Sequence, residues 1–342
     1  MALPLIYSLN YLGLIKAYSS LSRRMRAPRI PILTYHRIGD THLPWQIAPI
    51  STRDFKIEID YLKNNYEIVS LSAVVTSLKN GLPLPRNGLA ITFDGYYKDN
   101  FLNAYPILKK YHIPAALFLF TGSMDSRELF WEDKLRYSIW QSNYKSLDIQ
   151  GEGVYNLDSA DARRCAATNI IRKLKKIPLA QKEIIIQNCL QSTGTAIGPD
   201  LGKEAILTWD EVREMGANGF EIGAHTVSHP ILSKIPLDQA EWEITESKRR
   251  IEEEINKKIN LFAYPNGGPE DYNADIIQIL KKTGFSGALI NSPPGFVTAK
   301  TDLFKVDRIN ASADPVYFKF SLEVLQNLKS NDKKPGKPDN VV

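Results

Sequence analysis

The sequence predicts an α/β fold in which parallel strands are joined by helical crossovers. Short apolar runs alternate with segments of helical spacing along most of the 342 residues, and this alternation is typical of parallel sheets. In addition, several of the apolar runs end in polar residues. Parallel α/β folds place their functional sites at the carboxyl ends of strands. The polar residues that follow the predicted strands are therefore the candidates for catalytic or binding residues.

The predicted elements follow a regular order along the chain. The first apolar run, IPILTY at 30–35, predicts a buried strand, and 52–65 has helical spacing with Thr52 as its N-cap. Further strands are predicted at 67–71, 89–93, 115–120, 220–224, 259–264 and 287–291. Further helices are predicted at 72–79, 100–111, 208–218, 237–257 and 273–283. Residues 123–205 interrupt the alternation and are expected to form a mostly helical insertion.

Composition places the chain among ordinary globular proteins, with 43% hydrophobic and 24% charged residues. That balance excludes a disordered chain, a collagen and a multi-span membrane protein. The two cysteines, Cys165 and Cys189, lack zinc-ligand spacing and cannot form a disulfide framework, which favours a reducing compartment. The net charge of +5 suits an anionic surface but is too small to indicate nucleic-acid binding.

The two ends of the chain differ from the domain expected over 29–320. Residues 1–28 combine a broad apolar face with the basic side chains of Arg23, Arg24 and Arg26. They are interpreted either as an amphipathic helix in contact with an anionic membrane, as a helix packed on the domain, or as an unusual signal segment. The first interpretation places the protein in the cytoplasm, at the inner membrane face, rather than in the periplasm or outside the cell. Residues 330–342 are predicted to be disordered.

Polar residues at four strand ends form the candidate site. His225 and His229 are four residues apart after a predicted strand, so one turn can direct both imidazoles at one metal ion; otherwise they fill a loop. Asp94 ends another strand, where a carboxylate serves as a base, as a ligand or as a helix cap. His36 follows the first strand and is otherwise a structural histidine. The fourth strand end carries YPNG at 264–267, which is otherwise an ordinary turn.

These segments resemble the polysaccharide deacetylases with the NodB-homology domain, carbohydrate esterase family 4. The resemblance covers about residues 30–311, and its segments are YHRI at 35–38, TFDGYY at 92–97, LTWDEV at 207–212, HTVSH at 225–229 and FAYPNG at 262–267. It implies a distorted (β/α)7-type barrel. It also implies a hydrolase that acts on the carbon–nitrogen bond of N-acetyl groups, or on O-acetyl groups. The implied partner is a bacterial cell-surface glycan or its lipid-linked precursor.

The resemblance also assigns roles to particular residues. Asp94 corresponds to the general base, and His225 and His229 correspond to ligands of a divalent metal. Zinc is the expected metal, with cobalt, nickel or manganese as alternatives; it would polarise the acetyl carbonyl and activate a water molecule. Because no histidine follows His229, His36 is the expected general acid.

Further residues are expected to line the substrate site or to orient the base. Arg308 is a candidate for orienting the base, because Phe262 stands where the family has its usual arginine. The expected substrate-binding residues are Tyr96, Tyr97, Tyr264, Pro265, Asn266 and Arg308. No nucleic-acid partner is expected, and the sequence leaves the oligomeric state open.

One position departs from the family pattern. The family's TFDDGY reads TFDGYY here, so that Gly95 takes the place of a metal-binding aspartate. The loss of a charged ligand weakens a metal site. Three functions therefore remain open: an active deacetylase with altered metal affinity, a family member that binds glycan without turnover, and a different hydrolytic or non-catalytic role. In the first case, a Gly95→Asp variant is expected to bind metal more tightly.

Overall fold

A mixed α/β architecture with a nearly closed, barrel-like sheet confirms the predicted fold class. The computed structural model describes residues 3–11, 13–15, 17–18, 28–40, 46, 49–149, 153–175, 177, 179–198, 200–292 and 295–325. In chain order the strands are β1 (Ile30–Tyr35), β2 (Glu67–Ile68), β3 (Gly88–Asp94), β4 (Ala115–Leu119), β5 (Ser146–Ile149), β6 (Gly153–Asn156), β7 (Phe220–Ala224), β8 (Leu261–Ala263), β9 (Gly287–Ile290), β10 (Phe296–Val297), β11 (Val306–Asp307) and β12 (Ile309–Asn310).

Helices connect and cover these strands. They are α1 (Leu3–Tyr11), α2 (Thr52–Asn65), α3 (Leu71–Lys79), α4 (Tyr105–Lys110), α5 (Trp131–Gln141), α6 (Ala160–Leu174), α7 (Leu179–Thr193), α8 (Asp200–Ala205), α9 (Trp209–Ala217), α10 (Leu237–Ile255), α11 (Ala274–Lys282) and α12 (Pro315–Phe320). A π-helical turn at Asn100–Ala104 precedes α4. The N-cap of α2 is Ser51, whose Oγ accepts a hydrogen bond from the Asp54 N–H, so the prediction of Thr52 as the cap was wrong by one residue.

The barrel wall runs β1–β3–β4–β7–β8–β9–β11, and each neighbouring pair from β1 to β11 is parallel. Strands β1, β3, β4, β8 and β9 are buried along their whole length. Burial on both faces explains why these strands read as continuous apolar runs rather than as alternating patterns. All the wall strands therefore present their carboxyl ends at one edge of the barrel.

A single short segment closes the barrel. β11 pairs in parallel with β9, and β12 pairs in parallel with β1. Arg308 is the one residue between these two strands. The closure therefore places the Arg308 side chain at the seam where the first and last wall strands meet.

The interruption of the alternation corresponds to a separate group of elements. Helices α5, α6 and α7 pack together with the antiparallel pair β5–β6 around their own apolar cluster. The segment is mostly helical, as predicted, but the pair β5–β6 was not predicted. We call residues 123–205 the insertion.

The N-terminal helix packs on the domain. Ile6 and Ile15 are buried with Phe320 in a small apolar cluster, and the Tyr7 hydroxyl donates a 2.6 Å hydrogen bond to Asp314 Oδ2. The predicted basic run at 23–26 and the predicted disordered tail at 330–342 lie outside the described residues. In the part of the chain that the structure describes, no helix is both long and apolar enough to cross a membrane.

Candidate active site

The carboxyl edge of the barrel brings the chemically distinctive residues together. Asp94 is the last residue of β3, His225 follows β7, and His36 follows β1. Arg308 reaches the same place from the closure segment, and it contacts Asp94 although the two are 214 residues apart along the chain. Parallel strand order thus assembles a single site from distant parts of the sequence.

Asp94 and Arg308 form a buried pair that holds both carboxylate oxygens. Arg308 Nη1 donates to Asp94 Oδ1 at 2.6 Å and Nη2 donates to Oδ2 at 2.8 Å. Each residue is only 3% exposed. Burial alone would raise the pKa of Asp94, but Arg308, and then His225, bring this pKa below its usual value. The carboxylate is therefore charged and fixed in orientation, in the manner of a base.

The His225 ring has a defined tautomer. Its Nδ1 lies 2.7 Å from the carbonyl oxygen of Ala263, and because a carbonyl can only accept, Nδ1 carries the proton. The other nitrogen, Nε2, lies 3.9 Å from Asp94 Oδ2. Burial lowers the pKa of His225, so the ring is neutral and offers an Nε2 lone pair to the site.

His229 stands beside His225 in a strained loop. The two ring centroids are 4.7 Å apart, and Nδ1 of His229 is buried without a hydrogen-bond partner among the described residues. Burial, followed by the nearby His225 and Lys175, lowers the pKa of His229 well below its usual value. Both Thr226 and His229 have positive φ, at 70° and 54°, a conformation that is costly for a β-branched residue and is typical of functional sites.

Glu243 of α10 holds this loop in place. Its Oε2 accepts hydrogen bonds from the backbone N–H groups of Val227 and Ser228 at 2.8 Å each, and its Oε1 accepts from the Ser228 hydroxyl. Glu243 is fully buried. The sequence analysis missed this residue, although a carboxylate on the apolar face of a predicted helix was an available signal.

The donor atoms do not fit a complete metal centre. His225 Nε2 and His229 offer two imidazoles, but both oxygens of Asp94 are bound by Arg308 and Gly95 has no side chain. Among the described residues, no group of three or more His, Cys, Asp or Glu is arranged to hold a metal ion. The predicted zinc site is therefore incomplete among the described residues.

Gly95 also resists the replacement that would restore the missing carboxylate. Its φ is 114°, which L-residues with side chains rarely adopt. A Cβ at this position would lie 2.9 Å from two carbon atoms of the Tyr97 ring. An aspartate here therefore needs both a different backbone conformation and a displaced Tyr97.

The remaining predicted site residues differ in their access to solvent. His36 keeps a solvent-accessible side, while protein atoms on its other sides lower its pKa and Asp94 partly opposes this effect. Tyr97 and Asn266 are partly buried. Tyr96, Tyr264, Pro265 and Arg308 are buried, and three of them are also engaged by protein groups. Direct substrate contact by these four residues stays a prediction.

The insertion adds charged residues that sequence reasoning missed. Lys175 Nζ lies 2.9 Å from Glu132 Oε1 and donates a 3.2 Å hydrogen bond to Asn266 Oδ1. The ring of Phe130 stands perpendicular to that of His229, with centroids 5.6 Å apart. Nothing in the basic helical pattern of the insertion distinguishes Lys175 from its exposed neighbours, so only the structure shows that it reaches the site.

Comparisons with known proteins agree with this architecture. The family model described as Polysaccharide deacetylase matches residues 82–288. The structure of the Streptococcus pyogenes deacetylase PplD superposes with a TM-score of 0.57 at 20% identity, over 84% of this chain and 95% of that one. IcaB from Ammonifex degensii superposes with a TM-score of 0.56 at 18% identity, over 87% of this chain and 97% of that one.

One short stretch of the chain has a higher sequence identity to a curated relative than the whole chain has to these two structures. The poly-β-1,6-N-acetyl-D-glucosamine N-deacetylase of Staphylococcus epidermidis is 33% identical over 78 residues. This alignment spans 22% of the chain and 27% of the relative. The similarity to this protein is therefore local.

Proposed function

The chain belongs to the polysaccharide deacetylase family, and from that premise we propose that it removes N-acetyl groups from sugars of a bacterial surface glycan or of its lipid-linked precursor. One observation carries the proposal: a buried, charged carboxylate is oriented by a buried arginine beside a neutral histidine at the carboxyl edge of the barrel. Few structural roles require a pair of this kind at a strand end.

Asp94 is the proposed general base. Its lowered pKa keeps it ionised at neutral pH, and Arg308 prevents it from rotating away. Asp94 removes a proton from a water molecule as the water oxygen attacks the acetamide carbonyl carbon. His225 lies beside Asp94 with its Nε2 lone pair available to accept a hydrogen bond from the same water.

His36 is the proposed general acid. The carbon–nitrogen bond breaks when the sugar nitrogen accepts a proton, which releases acetate and a free amine. Burial lowers the pKa of His36, so its imidazolium form is populated only at a pH below the usual titration range of histidine. The proposal therefore gives a rate that falls as the pH rises through the pKa of His36, while Asp94 stays ionised throughout.

Metal use is the point at which this chain departs from its family. Polysaccharide deacetylases are generally metal-dependent, and a bound metal supplies carbonyl polarisation and an acidified water. Here two imidazoles are the available ligands. This shortfall favours a second candidate function, in which the chain binds glycan without turnover.

The substrate proposal rests on the local relative and on the location expected for the chain. The Staphylococcus relative is named for a polymer of N-acetylglucosamine, and we propose the same class of sugar here. We also propose action at the cytoplasmic membrane face. The burial of Ile6 and Ile15 within the protein leaves less apolar surface on the N-terminal segment for that contact.

Acetate release tests the two functions against each other. The full chain is incubated with N-acetylglucosamine oligosaccharides, with and without added zinc, and Asp94→Asn serves as the matched control. We expect acetate release that falls by about 10² to 10⁴ in the control, the usual contribution of a general base. Oligosaccharide binding without acetate release, under both metal conditions, would establish the binding function instead.

A further inference from the structure

Polar side chains, three of which have a nitrogen without a hydrogen-bond partner among the described residues, gather where the insertion meets the barrel. We call this place the junction and define it by Trp131, Lys175, Lys182, His229 and Asn266. Lys175 ties α6 to the barrel loop through Asn266. Trp131 packs against Phe130, whose ring contacts His229. The junction is thus continuous with the candidate active site, but most of its residues come from outside the barrel.

Lys182 is the most unusual member of the junction. It lies on α7 and is only 5% exposed. Within the described residues its ammonium group has no hydrogen bond or ion pair, and its Nζ lies 5.1 Å from the centroid of the Trp131 ring. A largely buried lysine whose ammonium forms no ion pair with the neighbouring carboxylates is costly unless a partner compensates its charge.

Two further donors at the junction are also unsatisfied. Trp131 Nε1 and Asn266 Nδ2 are buried and have no hydrogen-bond partner in the part of the chain that the structure describes. An indole N–H and an amide NH2 can only donate. Buried polar groups are nearly always paired in folded proteins, so this cluster of donors indicates a ligand that accepts.

Two of the three carboxylates that act on Lys182 are engaged by other groups, and the third, Glu183, is exposed and forms no ion pair with Lys182 among the described residues. Glu132 binds Lys175 and Arg136, and Glu243 binds the histidine loop. Burial lowers the pKa of Lys182, while Glu243 and Glu132 oppose that effect, which marks the ammonium as a poorly compensated charge. A second cation would be disfavoured here, whereas an anion would compensate Lys182.

We propose that the junction binds an oxyanion group, either carboxylate or phosphoryl, that the glycan carries near its acetylated sugar. Lys182 supplies the opposing charge, and Trp131 Nε1 and Asn266 Nδ2 supply hydrogen bonds. This inference rests on the proposed function, because it names a substrate class for the same site. It makes the insertion the part of the chain that selects acidic glycans or sugar phosphates.

Equilibrium binding tests the proposal on the full chain. Calorimetry compares neutral N-acetylglucosamine with N-acetylglucosamine 1-phosphate for the phosphoryl source and N-acetylmuramic acid for the carboxylate source. We expect at least one charged sugar to bind about tenfold more tightly than the neutral one, the strength of a hydrogen bond to a charged group. Lys182→Gln should reduce this preference to about twofold, and the preferred sugar identifies the source.

Two further variants guard the interpretation. Lys203→Gln removes an equal charge from an exposed ion pair with Asp200, and it should keep the full preference. Trp131→Phe keeps an aromatic ring but lacks the N–H, and it should weaken charged-sugar binding about fivefold. If Lys182→Gln fails to fold, the effect of Trp131→Phe tests the proposed anion site instead. Equal binding of all three sugars, or equal loss in Lys203→Gln, would overturn the proposal. Acetate release from neutral oligosaccharides is measured separately, so that failure of the proposed deacetylation can be distinguished from failure of the proposed anion binding.

Discussion

The two sides of the candidate site differ in how completely their polar groups are paired. On one side, Asp94 has both oxygens bound by Arg308. On the other, His229 and the insertion carry buried nitrogen atoms that have no hydrogen-bond partner among the described residues. The paired side holds one carboxylate in one orientation. The unpaired side has hydrogen-bonding nitrogen atoms that a ligand could satisfy. This difference teaches that the carboxylate has its orienting partner, whereas no group of three potential metal ligands is arranged to hold an ion among the described residues.

The largest expected effect comes from unpairing the paired side. Arg308→Met leaves a buried carboxylate without its counter-charge, and we expect a loss of about 3–5 kcal/mol in the free energy of unfolding. The folded-state pKa of Asp94 is depressed, so the pair stabilises the protein above the unfolded pKa and that stability disappears as the pH falls through the folded pKa. Urea unfolding at several pH values measures both effects.

The matched variant for that experiment is Arg308→Lys. It keeps the positive charge but cannot form two parallel hydrogen bonds, so it should fall between the wild type and Arg308→Met. If Arg308→Met unfolds at the wild-type urea concentration, with the same pH dependence, then the pair contributes nothing and the comparison of the two sides loses its basis.

The second effect concerns the loop that carries the imidazoles. Glu243→Ala leaves the backbone N–H groups of Val227 and Ser228 without their acceptor, and we expect a loss of about 2–3 kcal/mol. Glu243→Gln keeps an acceptor oxygen and should recover most of it. The NMR chemical shifts of the His225 and His229 imidazoles report the position of the loop. Unchanged shifts in Glu243→Ala would show that the loop keeps its conformation without Glu243.

A third effect tests whether the unpaired side can be rebuilt for a cation. Gly95→Asp should lose about 2 kcal/mol, because it combines an unfavourable φ with a contact to Tyr97. The sequence suggested that this change alone would tighten metal binding. We now expect a clear gain in zinc affinity only in Gly95→Asp/Tyr97→Ala, measured by zinc titration, with Tyr97→Ala as the control.

Zinc binding by the single variant, at full stability, would show that Tyr97 moves aside without cost. No gain in the double variant would show that the two imidazoles are not positioned to share an ion with residue 95. Either result would show whether the unpaired side can bind a metal ion.

The smallest effect concerns the buried ammonium of the unpaired side. Lys182→Met should stabilise the protein at neutral pH by about 1 kcal/mol, because it removes an uncompensated charge. The folded-state pKa of Lys182 is lowered, so its cost is present at neutral pH and declines as the pH rises towards the unfolded pKa near 10.4. The gain should therefore shrink in alkaline buffer. A constant gain would mean that packing, not charge, is responsible.

The paired and unpaired sides also differ in how far the sequence predicted them. Asp94, His225 and His229 were predictable because each ends or follows an apolar run, and strand ends meet at one edge of a parallel sheet. The contact of Arg308 with Asp94 spans 214 residues, and its flanking strands of two residues each are too short to leave a pattern. The role of Lys182 depends on how the insertion folds back, which no local spacing encodes.

The same limits apply to the fold. The long wall strands and amphipathic helices were predicted to within a few residues, because burial gives them periodicity. The pair β5–β6 was missed, since its strands lie within a segment dominated by helical spacing. Ser51 and Thr52 are both good caps by residue type, and only the backbone conformation at Ser51 distinguishes them.

The closure segment has a consequence for how the protein is made. Asp94 leaves the ribosome long before Arg308, and an N-terminal part of the barrel can begin to fold while the seam is still open. During that interval, the carboxylate has no guanidinium beside it and is more stable in water than in the barrel interior. The step that brings 306–310 between β9 and β1 therefore completes the sheet and gives Asp94 its counter-charge at the same moment. A chain that stalls before this step would be incompletely folded and would leave the Asp94 carboxylate unpaired.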